Sequence, residues 1–213
     1  MRENQFSYIA IDGLICTGKT HLAELLAKKL NATPVFEKFD ENPFLENFYA
    51  NPQYYSFPAE LFFLISRYQQ LSQYVQTDLF NTFIISDYMF EKNKIFASVT
   101  LNEQEHALYY NISELLVRNV PKPDMILFLQ ANIPSLMDRI RERGREWEKS
   151  ITEQYLKLLN EAYNSYFFHA VDTPVLVLNV SNLHFEEDSA DLLWLLQEIE
   201  KPFKGIRYIN PER

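Results

Sequence analysis

The chain has 213 residues, 47% of them hydrophobic and 15% aromatic, a length and balance that suit one α/β domain and exclude a disordered chain. Twenty basic against twenty-nine acidic side chains leave a net charge of −9, so neither nucleic acid nor a membrane is expected as a partner, and any bound phosphate must be held by a local site. One cysteine, no apolar run near the ~20 residues of a membrane span, and an opening Met1–Gln5 without a signal-peptide plan point to the cytoplasm.

The first expected strand is Tyr8-Ile9-Ala10-Ile11, and Gly13-Leu14-Ile15-Cys16-Thr17-Gly18-Lys19-Thr20 follows it after one residue. This fits G-x-x-x-x-G-K-[ST] between a strand and a helix, the context in which that pattern binds phosphate. Only four glycines occur in the chain, against about 15 at average usage, and Gly13 and Gly18 both fall on the motif. The loop through Cys16, Thr17 and Gly18 would offer its N–H groups to the β- and γ-phosphates of ATP. Lys19 would neutralise phosphate charge and the Thr20 hydroxyl would hold Mg²⁺. Cys16 reads as a small loop side chain, because no histidine or second cysteine lies near it in sequence.

A helix is expected over Lys19–Leu30, a strand at Pro34-Val35-Phe36, a helix over Tyr55–Val75 and a strand at Thr82-Phe83-Ile84-Ile85. Helix Glu103–Val117, strand Met125–Leu129, helices Ile133–Arg143 and Thr152–Phe168, strand Val175–Leu178 and helix Ala190–Ile199 complete the series. The strands barely alternate in polarity, as strands covered on both faces do, and strands alternating with helices argue for a doubly wound parallel sheet, here of five strands. One domain is expected over residues 1–200, with residues 201–213 as a surface tail. Arg139-Ile140-Arg141-Glu142-Arg143-Gly144-Arg145 places four arginines in seven residues at a helix end, a cationic lid over about 139–148 of the kind that stabilises a transferring phosphoryl group. No Asn-Lys-x-Asp guanine motif of GTPases is present, and His21, His106, His169 and His184 show no metal-ligand spacing.

Together these motifs resemble the deoxynucleoside kinase family over nearly the whole length. Phe36-Glu37-Lys38-Phe39-Asp40-Glu41-Asn42-Pro43-Phe44-Leu45-Glu46-Asn47-Phe48-Tyr49 is similar to the family segment after the second strand. The resemblance makes Glu37 the catalytic base and Tyr49 a contact to the sugar 3′-hydroxyl. Ser56–Arg67 resembles the helix lining the nucleobase pocket, with Glu60 where the family has glutamine and Arg67 as a base-side arginine. The lid match makes Arg139, Arg143 and Arg145 the phosphate-gripping arginines and Glu148 a second 3′-hydroxyl partner. Asp87 takes the acidic place after the third strand and would help Thr20 hold the metal. Tyr88 stands where the family has arginine, and Lys92 or Lys94 are the cations available from the next helical turn.

The resemblance implies a P-loop kinase fold and transfer of the ATP γ-phosphoryl group to the 5′-hydroxyl of a deoxynucleoside, with the apolar Phe62, Phe63 and Tyr68 pairing helices in a homodimer. A kinase of a nucleoside monophosphate and a non-catalytic nucleotide-binding or accessory member are the alternatives. An ionised Glu60 only accepts hydrogen bonds and so matches the two-donor edge of guanine. Arg67, seven residues on, would neutralise it in one alternative, and burial would protonate it in another.

Overall fold

The structure, a computed structural model, describes residues 6–76, 83–169 and 172–210. Met1–Gln5, Thr82 at the start of the third expected strand, and residues 211–213 of the expected tail lie outside the described residues.

β1 (Tyr8–Gly13) is buried along its whole length. Tyr8 and Ala10 enter one core cluster while Ile9 and Ile11 enter another on the opposite face, the period-two alternation of a strand with apolar cover on both sides. β4 (Met125–Gln130) and β5 (Val175–Asn179) repeat it, with Phe128 and Val177 on the first side and Leu127 and Leu176 on the second. Fully burying one such side chain contributes about 1.5–3 kcal/mol.

With β2 (Thr33–Val35), β3 (Ile84–Ser86) and β6 (Ile206–Ile209), these strands form one parallel sheet in the order β2-β3-β1-β4-β5-β6. The doubly wound parallel architecture is the expected one, but the sheet has six strands where five were expected. β6 comes from the segment read as a tail. It is an edge strand whose residues alternate exposed and half-buried, so it carries no continuous apolar run.

α1 (Lys19–Leu30) and α8 (Ala190–Ile199) cover the Ile9 face through Leu22, Leu26, Leu192 and Leu195. On the Tyr8 face lie α3 (Pro52–Gln76), α4 (Lys92–Thr100), α5 (Glu103–Val117), α6 (Ile133–Arg143) and α7 (Glu153–His169). α4 and the short α2 (Leu45–Ala50) were not among the expected helices. α4 opens with buried Lys92 and Asn93, and two polar residues on the inner face break the apolar stripe that marks a helix in sequence. No helix among the described residues is long and apolar enough to cross a membrane.

α6 ends at Gly144, whose left-handed backbone (φ 70°) turns the chain back over the carboxyl edge of the sheet into a 3-10 turn, Glu146–Ser150. The carboxyl ends of β1, β2 and β3 bring Gly13, Glu37 and Asp87 to the same edge, where open α/β sheets bind ligands.

Candidate active site

β1 ends in Asp12-Gly13, and the loop to α1 begins pressed against β4. A Cβ on Gly13 (φ 152°) would stand 2.4 Å from the Leu129 carbonyl oxygen, so only glycine lets the loop backbone lie on that strand. The fully buried Asp12 accepts hydrogen bonds from the Gly13 N–H (2.7 Å), the Met89 N–H (3.1 Å) and the Tyr163 hydroxyl (2.9 Å). Thr17 donates its hydroxyl to the Leu14 carbonyl at 2.9 Å, tightening the turn, and Gly18 caps α1. The first N–H groups of that helix have no intrahelical partner and form an anion cradle.

Lys19 Nζ donates to the carbonyls of Gly13 (3.0 Å) and Leu14 (2.8 Å). Burial, reinforced by the neighbouring positive charge of Lys92, lowers its pKa to about 8. Cys16 adopts a left-handed backbone (φ 63°), and burial pushes its thiol up, away from an activated thiolate. Arg139 donates to the Cys16 carbonyl at 3.4 Å across a hollow bordered by Gly18 and His21.

The Thr20 hydroxyl donates to Asp87 Oδ2 at 2.5 Å. Asp87 Oδ1 accepts the Glu37 N–H at 2.7 Å, which joins the end of β3 to the residue that leads away from β2. Burial, with the Glu37 charge beside it, raises the Asp87 pKa. A hydroxyl beside a carboxylate suits Mg²⁺, which takes few protein ligands and completes its shell with phosphate oxygens and water.

Glu37 is bonded to cations through both carboxylate oxygens. Oε1 accepts from both Arg67 Nε (2.8 Å) and Arg67 Nη2, and Oε2 accepts from Lys92 Nζ at 2.7 Å. Burial alone would raise its pKa, but Arg67 and Lys92 outweigh that and hold the carboxyl well below its usual range. Arg67, 2% exposed, also donates Nη1 to Asn93 and lies 4.8 Å over the Phe63 ring. Arg67, expected on the base side, lines the same pocket as Glu60 and is bonded to Glu37. Phe63, expected on an apolar helix-pairing face, turns inward beneath Arg67, and Tyr68 packs against the core.

Farther along the pocket, Glu60 is buried with Oε1 accepting from the Thr100 hydroxyl at 3.1 Å and Oε2 without a partner. Burial raises its pKa to about 7. The buried Tyr155 hydroxyl, from α7, is likewise unpartnered in the same pocket. Tyr49 on α2 stacks on Trp147 at 5.2 Å. Glu148, 1% exposed, accepts from Arg143 Nε at 2.9 Å and from Arg143 Nη2, with Arg145 at 3.5 Å. Arg145 lies 4.3 Å over the Phe39 ring, so the arginine-rich segment is folded over the pocket mouth.

One pocket, partly open to solvent, lies along this edge of the sheet, a concave site of the kind that takes a small molecule. It brings together Cys16, Lys19, Thr20, Glu37 and Asp87 with Tyr49, Glu60 and Arg67, and with Arg143, Arg145 and Glu148. Gly13, Thr17 and Gly18 shape the loop beside it, and Arg139 stands at the neighbouring hollow. Asp12, Asn93, Trp147 and Tyr155 were not singled out in the sequence, since each reads as an ordinary core or loop residue. Tyr88 is fully buried with its hydroxyl donating to Gln70 at 3.2 Å. Of the two lysines that follow, Lys92 enters the pocket while Lys94 pairs with Glu114 away from it.

Residues 9–202 match the family model described as deoxynucleoside kinase. The chain is 40% identical over 163 residues to a deoxyguanosine kinase of Bacillus subtilis, covering 75% of this chain and 78% of that protein. It is 30% identical over 207 residues to a deoxyadenosine kinase of Dictyostelium discoideum, covering 96% and 82%. The solved structure of deoxyadenosine kinase from M. mycoides with bound dATP has the same fold, with a TM-score of 0.77 at 24% identity over 91% of this chain and 99% of that one. With the phosphate loop, the paired Glu37 and the arginine segment at one sheet edge, these matches make the chain a member of the deoxynucleoside kinase family, a family of ATP-dependent phosphotransferases.

Proposed function

We propose that the protein transfers the γ-phosphoryl group of ATP·Mg²⁺ to the 5′-hydroxyl of a purine deoxynucleoside, deoxyguanosine being favoured, and that it works as a cytoplasmic homodimer. The observation that carries the reading is the position of Glu37. It lines the same pocket as Lys19 and Thr20 of the phosphate loop and as Tyr49 and Glu60. A carboxylate there takes the 5′-hydroxyl proton as that oxygen bonds to the γ-phosphorus; the bond to the bridging oxygen breaks, and ADP leaves with its electron pair.

Lys19 and the loop amides hold the donor phosphates, whose charge raises the lysine's lowered pKa and keeps it protonated. Thr20 and Asp87 hold Mg²⁺, which when bound offsets phosphate charge. Arg139, Arg143 and Arg145 of the lid segment close over the transferring group, and Tyr49 and Glu148 meet the sugar 3′-hydroxyl. The open oxygen of Glu60 favours guanine, whose N1–H and amino group supply two donors. Ile65 on α3 and Leu108 and Leu115 on α5 are exposed large apolar residues, which supports pairing of two copies through these helices.

ADP release measured against the four deoxynucleosides tests the reading. Turnover should be highest with deoxyguanosine, and Glu37→Gln should lower kcat by ~10²–10⁴ with little change in KM for the nucleoside. Absence of turnover with every deoxynucleoside overturns the activity, and an unchanged kcat in Glu37→Gln removes Glu37 as the base.

A further inference from the structure

Lys92 is the first residue of α4, yet only 5% of it is exposed. Its ammonium lies 2.7 Å from Glu37 Oε2 and 5.4 Å from the centre of the Phe96 ring. A buried ammonium is costly unless paired, so the Glu37 carboxylate accounts for its place in the fold. Its neighbour Asn93 accepts from Arg67, the other cation on Glu37. The first turn of α4 therefore holds the carboxylate from both sides, directly through Lys92 and indirectly through Arg67.

Counting lone pairs shows what this arrangement leaves open. A carboxylate oxygen accepts about two hydrogen bonds. Oε1 receives two, from Arg67 Nε and Nη2, and is filled. Oε2 receives one, from Lys92, and keeps one lone pair. A guanidinium presents a planar fork suited to bidentate contacts, whereas an ammonium is a point donor that occupies one site.

We infer that Lys92 is a positioning residue for phosphoryl transfer: by holding one lone pair of Oε2 it fixes the rotation of the carboxylate and leaves the other lone pair as the single acceptor for the 5′-hydroxyl proton. The inference rests on Glu37 being the base. It assigns the proton to Oε2, and it gives α4 the task of orienting the base.

The test compares Lys92→Met, Lys92→Arg and Glu37→Gln with the native enzyme in kcat and nucleoside KM. Lys92→Met should lower kcat about 10²-fold, as loss of one preorganised donor does elsewhere, with KM within threefold. Lys92→Arg should recover only part of kcat, since the charge remains while the fork competes for the open lone pair. If Lys92→Met does not fold, Lys92→Gln takes its place with the same expected loss of kcat at little change in KM. A kcat within threefold of native in Lys92→Met, while Glu37→Gln shows its ~10²–10⁴ loss, overturns the role of Lys92 alone. An unchanged kcat in Glu37→Gln removes the base itself.

Discussion

Glu37 and Glu60 line one pocket, the first largely and the second fully buried, yet the two ends of that pocket treat a glutamate in opposite ways. At the phosphate end, Glu37 accepts from Arg67 and Lys92 on both oxygens and is held charged. At the far end, Glu60 has a single hydroxyl donor and an empty oxygen, and burial brings its pKa to about 7. Residue type does not set the role here; the count of donors does. A carboxylate supplied with cations by the fold is a fixed acceptor for a proton, and one left short of donors waits for a ligand to complete it.

The largest break in this contrast would come from Arg67→Met. It removes two donors from Glu37 and leaves a buried carboxylate with Lys92 alone, at a cost of about 3–5 kcal/mol. For a chain of this length that is a fall in Tm of roughly 6–20 °C at about 2–4 °C per kcal/mol. A calorimetric scan that finds the native Tm would show that the ion pair contributes nothing net.

The second test uses pH. Ionised Glu60 accepts two hydrogen bonds and suits guanine, while the protonated form donates one and accepts one and suits the N1 and amino edge of adenine. The charged form gains as pH rises through about 7, so kcat/KM for deoxyguanosine relative to deoxyadenosine should climb about five- to hundredfold between pH 6 and 8. Of the groups facing Glu60, Glu37 titrates far lower, Tyr49, Tyr109 and Tyr155 are raised by burial, and Arg67 stays charged. Thr100 does not titrate, and Lys92, the remaining cation, stands in an ion pair with Glu37. Lys19, near 8, serves both substrates and cancels in the ratio. Glu60→Gln should flatten the curve, and a native ratio that is already flat would show that Glu60 does not read the base.

The smallest effect is expected from Tyr155→Phe. Its hydroxyl is buried without a partner, so removing it should leave Tm unchanged or slightly raised. If that hydroxyl completes a ligand as Glu60 does, KM for the deoxynucleoside should rise about three- to tenfold, near the ~1 kcal/mol of one hydrogen bond. An unchanged KM would place Tyr155 outside the recognition set.

The phosphate end was legible in the sequence because it is local: Gly13 to Thr20 are contiguous, and their meaning lies in the backbone they impose. The base end is assembled from afar. Arg67 shares a helix with Glu60, and spacing alone allows the two to pair, but the long guanidinium reaches across to Glu37, 30 residues earlier, instead. Lys92 and Lys94 were indistinguishable until α4 gave them different surroundings, one in the pocket and one beside Glu114 and Tyr110. β6 went unread because an edge strand is covered on one side only and lacks the apolar run that marks its neighbours.

Asp12 does not line the pocket, yet it has a bearing on rate. Its carboxylate fastens the start of the phosphate loop, the turn that leads into α4 and the side of α7 at one point, through Gly13, Met89 and Tyr163. The segment that cradles the donor and the helix that steadies the acceptor's base therefore share an anchor. The separation between the two halves of the reaction is inherited from folding, and the loss of freedom in bringing them together is settled before either ligand arrives.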